Sequence, residues 1–177
     1  RTTESRPMSN ALFSTVIDSP VGVLTIVASD DGLRAILWPD DDPARVRLTD
    51  AVDDPGHPVI TAAVAQLAEY FAGERTEFDV ALDAVGTDFQ RSAWDALRTI
   101  PYGTTVSYGE QAERMGDRRK ARAVGAANGR NPISIIVPCH RVVGANGALT
   151  GFAGGVDTKA WLLAHEQRIT PGVRPHA

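Results

Sequence analysis

Ile133-Ser134-Ile135-Ile136-Val137-Pro138-Cys139-His140-Arg141-Val142-Val143 contains the only cysteine among 177 residues. The β-branched run before it reads as a buried strand or extended segment. Pro138 ends any pairing and forces a turn, with a histidine and an arginine following. A lone sulfur in this setting is either a buried spectator, the commoner fate of free cysteine, or an activated nucleophile. To act it needs a lowered pKa, because the thiolate is the attacking species. Neighbours on an extended segment point to opposite faces, so direct contact between Cys139 and His140 is not expected and a bridging water is geometrically easier. A carboxylate would be needed to orient the imidazole. Glu166 is the outlying candidate, and it reads equally well as an exposed helix residue.

Outward from this stretch, the second half of the chain is mostly helical. Thr87-Asp88-Phe89-Gln90 has the form of a capping box and opens a helix with Phe89, Ala93, Trp94 and Leu97 on one face, ending before Pro101. Ser107-Tyr108-Gly109-Glu110 is a second such box and starts a short helix to about Met115, closed by Gly116. A third helix is expected from about Arg118 to Asn128, stopping at Gly129. Two short helices around a glycine turn fit a helix-turn-helix. Arg118, Arg119, Lys120 and Arg122 crowd the start of the third helix, where the dipole disfavours cations. Ala121, Ala123, Gly125, Ala126 and Ala127 are small enough to let its backbone approach another surface. Cations and small residues together suit phosphates and a groove, although a solvated face or tight helix packing would also produce them. The last helix is expected from an Asp157 N-cap through Trp161, Leu162 and His165 to about Arg168.

The first half reads as a small sheet and one helix, with nothing catalytic in it. Leu12–Ile17, Val21–Ala28 and Leu33–Trp38 are β-prone, and Asp30-Asp31-Gly32 marks a hairpin turn. Pro39–Pro58 reads as an exposed connection. Ile60, Val64, Leu67 and Phe71 fall at helical spacing before Gly73, and Phe78–Leu82 alternates like a strand. At 43% hydrophobic and 23% charged the composition is globular. No apolar run approaches the roughly 20 residues of a membrane helix. One cysteine excludes an internal disulfide and a Cys-rich zinc centre. Arg1–Asn10 reads as a disordered tail without a leader's apolar core, so a cytoplasmic protein is expected. The net charge of −4 hides a split at Gly86. Residues 1–86 carry 6 Lys/Arg against 15 Asp/Glu, a net of −9, and residues 87–177 carry 12 against 7, a net of +5. The basic half favours nucleic acid as partner.

Pro138-Cys139-His140-Arg141-Val142 resembles the active-site signature of the O6-alkylguanine-DNA alkyltransferases. Tyr102-Gly103, Ser107-Tyr108, Lys120 to Gly125, Asn131-Pro132, Gly154-Gly155 and Trp161 to Glu166 are similar to the family's pattern in order, as are Ser19 to Gly22 and Tyr70 to Gly73. The resemblance covers about residues 13–168. It implies an α/β (α+β) chain: a 1–10 tail, a small ribonuclease H-like α/β domain over 11–86, a mostly helical DNA-binding domain over 87–170, and a 171–177 tail. It also implies irreversible transfer of the alkyl group from O6-alkylguanine, less efficiently O4-alkylthymine, to Cys139 in duplex DNA, without metal or cofactor. His140 would take the thiol proton through a water, Glu166 would hold His140, and Tyr108 would donate to the leaving guanine. Arg122 would enter the stack vacated by the flipped nucleotide. The stripe Ala121, Ala123, Gly125, Ala126 and Ala127 would face DNA. Asn131 would brace the cysteine loop, Asn128, Phe152 and Gly154 would support the pocket, and the backbones of Val142 and Ala153 would meet the base. The expected protein is a bacterial monomer, with cooperativity on DNA left open. Phe152 and Thr150 depart from the tyrosine and glycine of some members, which suggests restricted entry of bulky adducts such as benzyl. A cysteine hydrolase using Cys139, His140 and Glu166, and a lesion-binding protein with a structural Cys139, remain as rivals.

Overall fold

Leu12–Ile17 (β1), Leu24–Ala28 (β2) and Leu33–Leu37 (β3) form an antiparallel meander in the computed structural model, which describes residues 11–168. The expected tails at 1–10 and 171–177, and the domain end at 170, lie outside the described residues. The 39–58 connection is not wholly irregular. Ala51–Asp53 (β4) joins β1 in parallel, giving the sheet order β3-β2-β1-β4. An exposed three-residue edge strand leaves little periodicity in sequence, because only its backbone is engaged. Leu24, Ile26 and Ala28 are fully buried.

Pro58–Phe71 (α1) starts with proline at its first turn, where a missing N–H costs nothing. His57 caps it by accepting from Val59 N at 3.2 Å. Its buried face is Ile60, Ala63, Leu67 and Tyr70, rotated slightly from the expected Val64 and Phe71, which are only partly buried. Phe78–Leu82 is not a strand. It touches β3 at a single bridge, where Leu33 N donates to Ala81 O and Asp83 N to Leu33 O, both at 2.8 Å.

Both capping boxes are formed, at the starts of Asp88–Leu97 (α2) and Tyr108–Arg114 (α3). One 3-10 turn, Arg118–Lys120, leads into Ala121–Gly129 (α4). Val106–Ser107 (β5) pairs in parallel with Val142–Val143 (β6). Val156–Arg168 (α5) begins two residues earlier than an Asp157 N-cap would place it, so Asp157 sits in its first turn.

The stretch Ile133–Val137 is likewise no strand. It makes one bridge, Ile133 to Ile36, and then turns back on itself, with Ile136 N donating to Ser134 O and Val137 N to Ile133 O, both at 2.9 Å. Ile135 has φ 75°, a left-handed value that a β-branched residue adopts only under external constraint. Its side chain is fully buried, and burial holds the turn. Leu24, Ile36, Trp38, Leu67, Tyr70, Trp94, Leu97, Ile133, Ile135 and Leu162 belong to one core that spans both halves. The fold is a mixed four-stranded sheet with one helix, joined to a helical half.

Candidate active site

The turn that carries Cys139 is braced by Asn131. Its Nδ2 donates to Val137 O at 2.8 Å and its Oδ1 accepts from Ile133 N at 3.0 Å. Cys139–Arg141 form one 3-10 turn instead of continuing an extended segment, so the expectation of opposite faces fails in its premise. Successive residues on such a turn splay by about a third of a circle.

Behind the thiol, His140 and Glu166 are both fully buried, with His140 Nε2 2.7 Å from Glu166 Oε2. Glu166 also receives Arg141 Nε at 2.9 Å, Arg141 Nη2 at 3.1 Å, Tyr70 OH at 2.7 Å and Gly103 N at 3.2 Å. Burial alone would raise the Glu166 pKa. The hydrogen bonds and charges of His140 and Arg141 outweigh it and hold the carboxyl well below its usual range. A carboxylate only accepts, so Nε2 of His140 carries the proton and Nδ1 is the basic nitrogen. That Nδ1 is buried and makes no hydrogen bond among the described residues. Burial lowers the imidazole pKa despite Glu166, which keeps the ring neutral. Burial raises the Cys139 pKa against the hydrogen bond from Asn131 and the charges of Lys159 and Arg45. The resting sulfur is therefore a thiol, and to attack it depends on a base.

A cleft over Cys139 is lined by Tyr108, Gly125, Asn128, Gly129, Asn131, Ser134, Gly151, Phe152 and Ala153. Tyr108 stands at the start of α3 with its hydroxyl 3.0 Å from Thr150 Oγ1. Asn128 is pinned to Gln111 by a reciprocal pair of 2.8 and 3.1 Å, which fixes α4 to α3. Of the two backbones expected to meet the base, that of Ala153 lines this cleft and that of Val142 does not; Gly154, expected as a support, is not in the lining. Val142 is fully buried in β6. Gly154 lies under Trp38, where a Cβ would come within 2.7 Å of the indole.

Reasoning from sequence missed four supports. Lys159 is 1% exposed and donates to Thr150 O at 3.2 Å, fastening the loop that walls the cleft. In sequence it reads as an ordinary solvated helix lysine. Trp38, Tyr70 and Arg45 come from the acidic half, which looked uninvolved. Trp38 Nε1 donates to Ser134 Oγ at 3.2 Å, and Arg45 donates to the carbonyls of Ile36 and Asn131 while paired with Asp41.

On α4, Arg122, Ala123, Ala126 and Gly129 are exposed along one face. Ala121 and Gly125 are half-buried. Ala127 is 3% exposed and turns inward, its carbonyl accepting from Trp94 Nε1 at 2.8 Å, so it cannot face DNA as expected. The basic cluster also divides. Arg118 pairs with Glu113, Arg119 with Asp117, and Lys120 lies over the Phe89 ring. Arg122 has no such partner among the described residues and projects from this exposed face.

The 6-O-methylguanine DNA methyltransferase family matches over two segments, its ribonuclease-like domain at residues 12–84 and its DNA binding domain at 88–168. The methylated-DNA–protein-cysteine methyltransferase of Mycolicibacterium paratuberculosis is 52% identical over 157 residues, covering 88% of this chain and 92% of that protein. The Shigella flexneri protein of the same name is 46% identical over 163 residues, covering 88% and 95%. The Mycobacterium tuberculosis enzyme solved in complex with DNA superposes with a TM-score of 0.81 at 50% identity, over 92% of this chain and 96% of its own. With the cysteine turn, the helix pair and both domains matched along their length, the chain belongs to the 6-O-methylguanine DNA methyltransferase family.

Proposed function

We propose that this protein repairs O6-alkylguanine in duplex DNA by moving the alkyl group onto Cys139, once per molecule. The observation that carries the reading is a single buried thiol at the floor of a cleft, backed by the His140–Glu166 pair and bordered by the α4 face that bears Arg122. A base inside a duplex is out of a thiol's reach, so the nucleotide is extruded into the cleft, and Arg122 occupies the gap. The sulfur attacks the alkyl carbon as the bond from that carbon to O6 breaks. The thiol proton passes through a water to His140 Nδ1, and Glu166 stabilises the imidazolium. Tyr108 donates to the guanine ring as negative charge develops there, and guanine leaves protonated. The product thioether is a poor leaving group, so the cysteine is not regenerated. Asn131 holds the thiol in line.

O4-alkylthymine fits the same chemistry as a slower substrate. We place the domain division at Gly86, on the charge change, and the protein in the cytoplasm as a monomer. Among the described residues no helix is long and apolar enough to cross a membrane. The test is to incubate the protein with duplex bearing O6-methylguanine and weigh it. A gain of one methyl, lost in Cys139→Ser, is expected. Repeated turnover would favour a hydrolase, and unchanged mass with lesion binding would favour a damage sensor.

A further inference from the structure

At the C-terminal end of α4 the exposed face Arg122, Ala123, Ala126, Gly129 runs on into Arg130, which is also exposed. Eight residues of helix carry the chain about 12 Å along the axis from Arg122. Arg130 Nη1 crosses to the other half of the molecule and donates to Ala44 O at 2.9 Å. There it meets a groove of about 340 Å³ whose wall includes Arg34, Arg45, Arg47 and Arg130, with Val85 and Pro132 between them. Three of these four arginines, Arg34, Arg45 and Arg47, come from the half whose net charge is −9, and Arg130 comes from the basic half.

The four are not equivalent. Arg34 is neutralised by Asp83 at 2.7 Å, and Arg45 by Asp41, so these two shape the groove. Arg47 is exposed and has no hydrogen bond or ion pair among the described residues. Arg130 gives one N–H to a carbonyl and has no carboxylate partner among the described residues. Two uncompensated guanidinium groups therefore face one opening, at the edge of the face that carries Arg122. Val85, 66% exposed, offers apolar surface of the kind a sugar ring covers.

We propose that this groove is a second contact for the DNA backbone, in which Arg47 and Arg130 hold phosphates of the duplex beyond the end of α4. It rests on the reading of α4 as the DNA face. The 39–58 connection would then be part of the nucleic-acid surface, and the acidic half would bind DNA through this one basic margin. Guanidinium forks suit phosphate oxygens bidentately. Contacts of this kind position the protein without reading sequence.

The test uses the whole protein and the variants Arg47→Ala, Arg130→Ala and the pair, with Arg47→Lys as a charge-keeping control. Binding to a duplex would be followed by anisotropy across a salt series, with and without O6-methylguanine. The slope of log affinity against log salt should fall by about one for each arginine removed, equally on intact and damaged duplex, while Arg47→Lys keeps it. Methyl transfer from free O6-methylguanine base, which has no phosphate, should keep its rate. Unchanged affinity and slope in Arg47→Ala, whose side chain has no hydrogen-bond or ion-pair partner among the described residues, would overturn the proposal. Failure of the unsubstituted protein to bind duplex or accept methyl would instead sink the parent reading.

Discussion

Glu166 gathers the groups on which the chemistry depends. It is buried, ionised, and approached by His140, Arg141, Tyr70 and the Gly103 amide. Glu166→Gln would leave Arg141 as a buried cation without its counter-ion, at a cost of about 3–5 kcal/mol. It would also remove the group that orients His140, slowing methyl transfer by roughly 10²- to 10⁴-fold. Urea titration and single-turnover rates measure the two effects separately. The pH dependence of stability follows from the directions of the shifts. His140 and Glu166 are both depressed from ordinary values of 6.5 and 4.5, so their contribution is present above those values and lost as pH falls through the folded ones. Cys139 is raised from 9.0, so its contribution is present below that value and lost as pH rises through the folded pKa. Urea titrations should therefore show a plateau between about pH 6.5 and 9, with losses on both sides. The hydroxyl of Thr150 reaches Tyr108 at the cleft's edge. Thr150→Gly should speed transfer from O6-benzylguanine at least several-fold relative to O6-methylguanine, read by competition. Cys139 and His140 were legible because one short motif holds both, whereas Glu166 was singled out only through the resemblance of the Trp161 to Glu166 segment. Lys159 was not legible, because nothing in a sequence separates a buried helix lysine from a solvated one.

The helices were the readable elements. α2 and α3 begin where Thr87 and Ser107 meet Gln90 and Glu110, since a capping box is a bond between residues three apart and needs no tertiary context. Strands were harder. Ile133–Val137 has strand composition, yet it sits between Pro132 and Pro138 and is tied at both ends by Asn131, leaving room only for a turn. Phe78–Leu82 alternates correctly, but it meets β3 at one bridge. Strand identity depends on a distant partner, and composition does not reveal whether the partner is there. The α4 stripe was read correctly as small but not oriented. Helical geometry sends Ala126 out and Ala127 in. Arg122, on the outer side, gives a prediction at this scale. Arg122→Ala should slow transfer from lesion-bearing duplex by roughly 10- to 100-fold, since replacing lost stacking is worth a few kcal/mol. Transfer from the free base should not change, and comparing the two rates checks it.

Across the whole molecule, the charge split at Gly86 suggested two halves with separate work, and the structure joins them. Tyr70 of the acidic half donates to Glu166 of the basic half, and Trp38 lies on Gly154 and against Phe152. Gly154→Ala would push a methyl group into the indole and should cost about 1–3 kcal/mol. Tyr70, Trp38, Leu97, Ile133 and Leu162 share one core, so the thermal transition of that variant should shift as a single step, seen alike by tryptophan fluorescence and far-UV dichroism. These ties were invisible in sequence because they connect residues about a hundred positions apart. The lone thiol has a practical consequence of its own. A chain with one cysteine, buried when folded, has one reactive sulfur after denaturation if unused and none once alkylated. A colorimetric thiol titration in denaturant, set against total protein, would thus count the unspent molecules in any preparation, with no DNA in the assay.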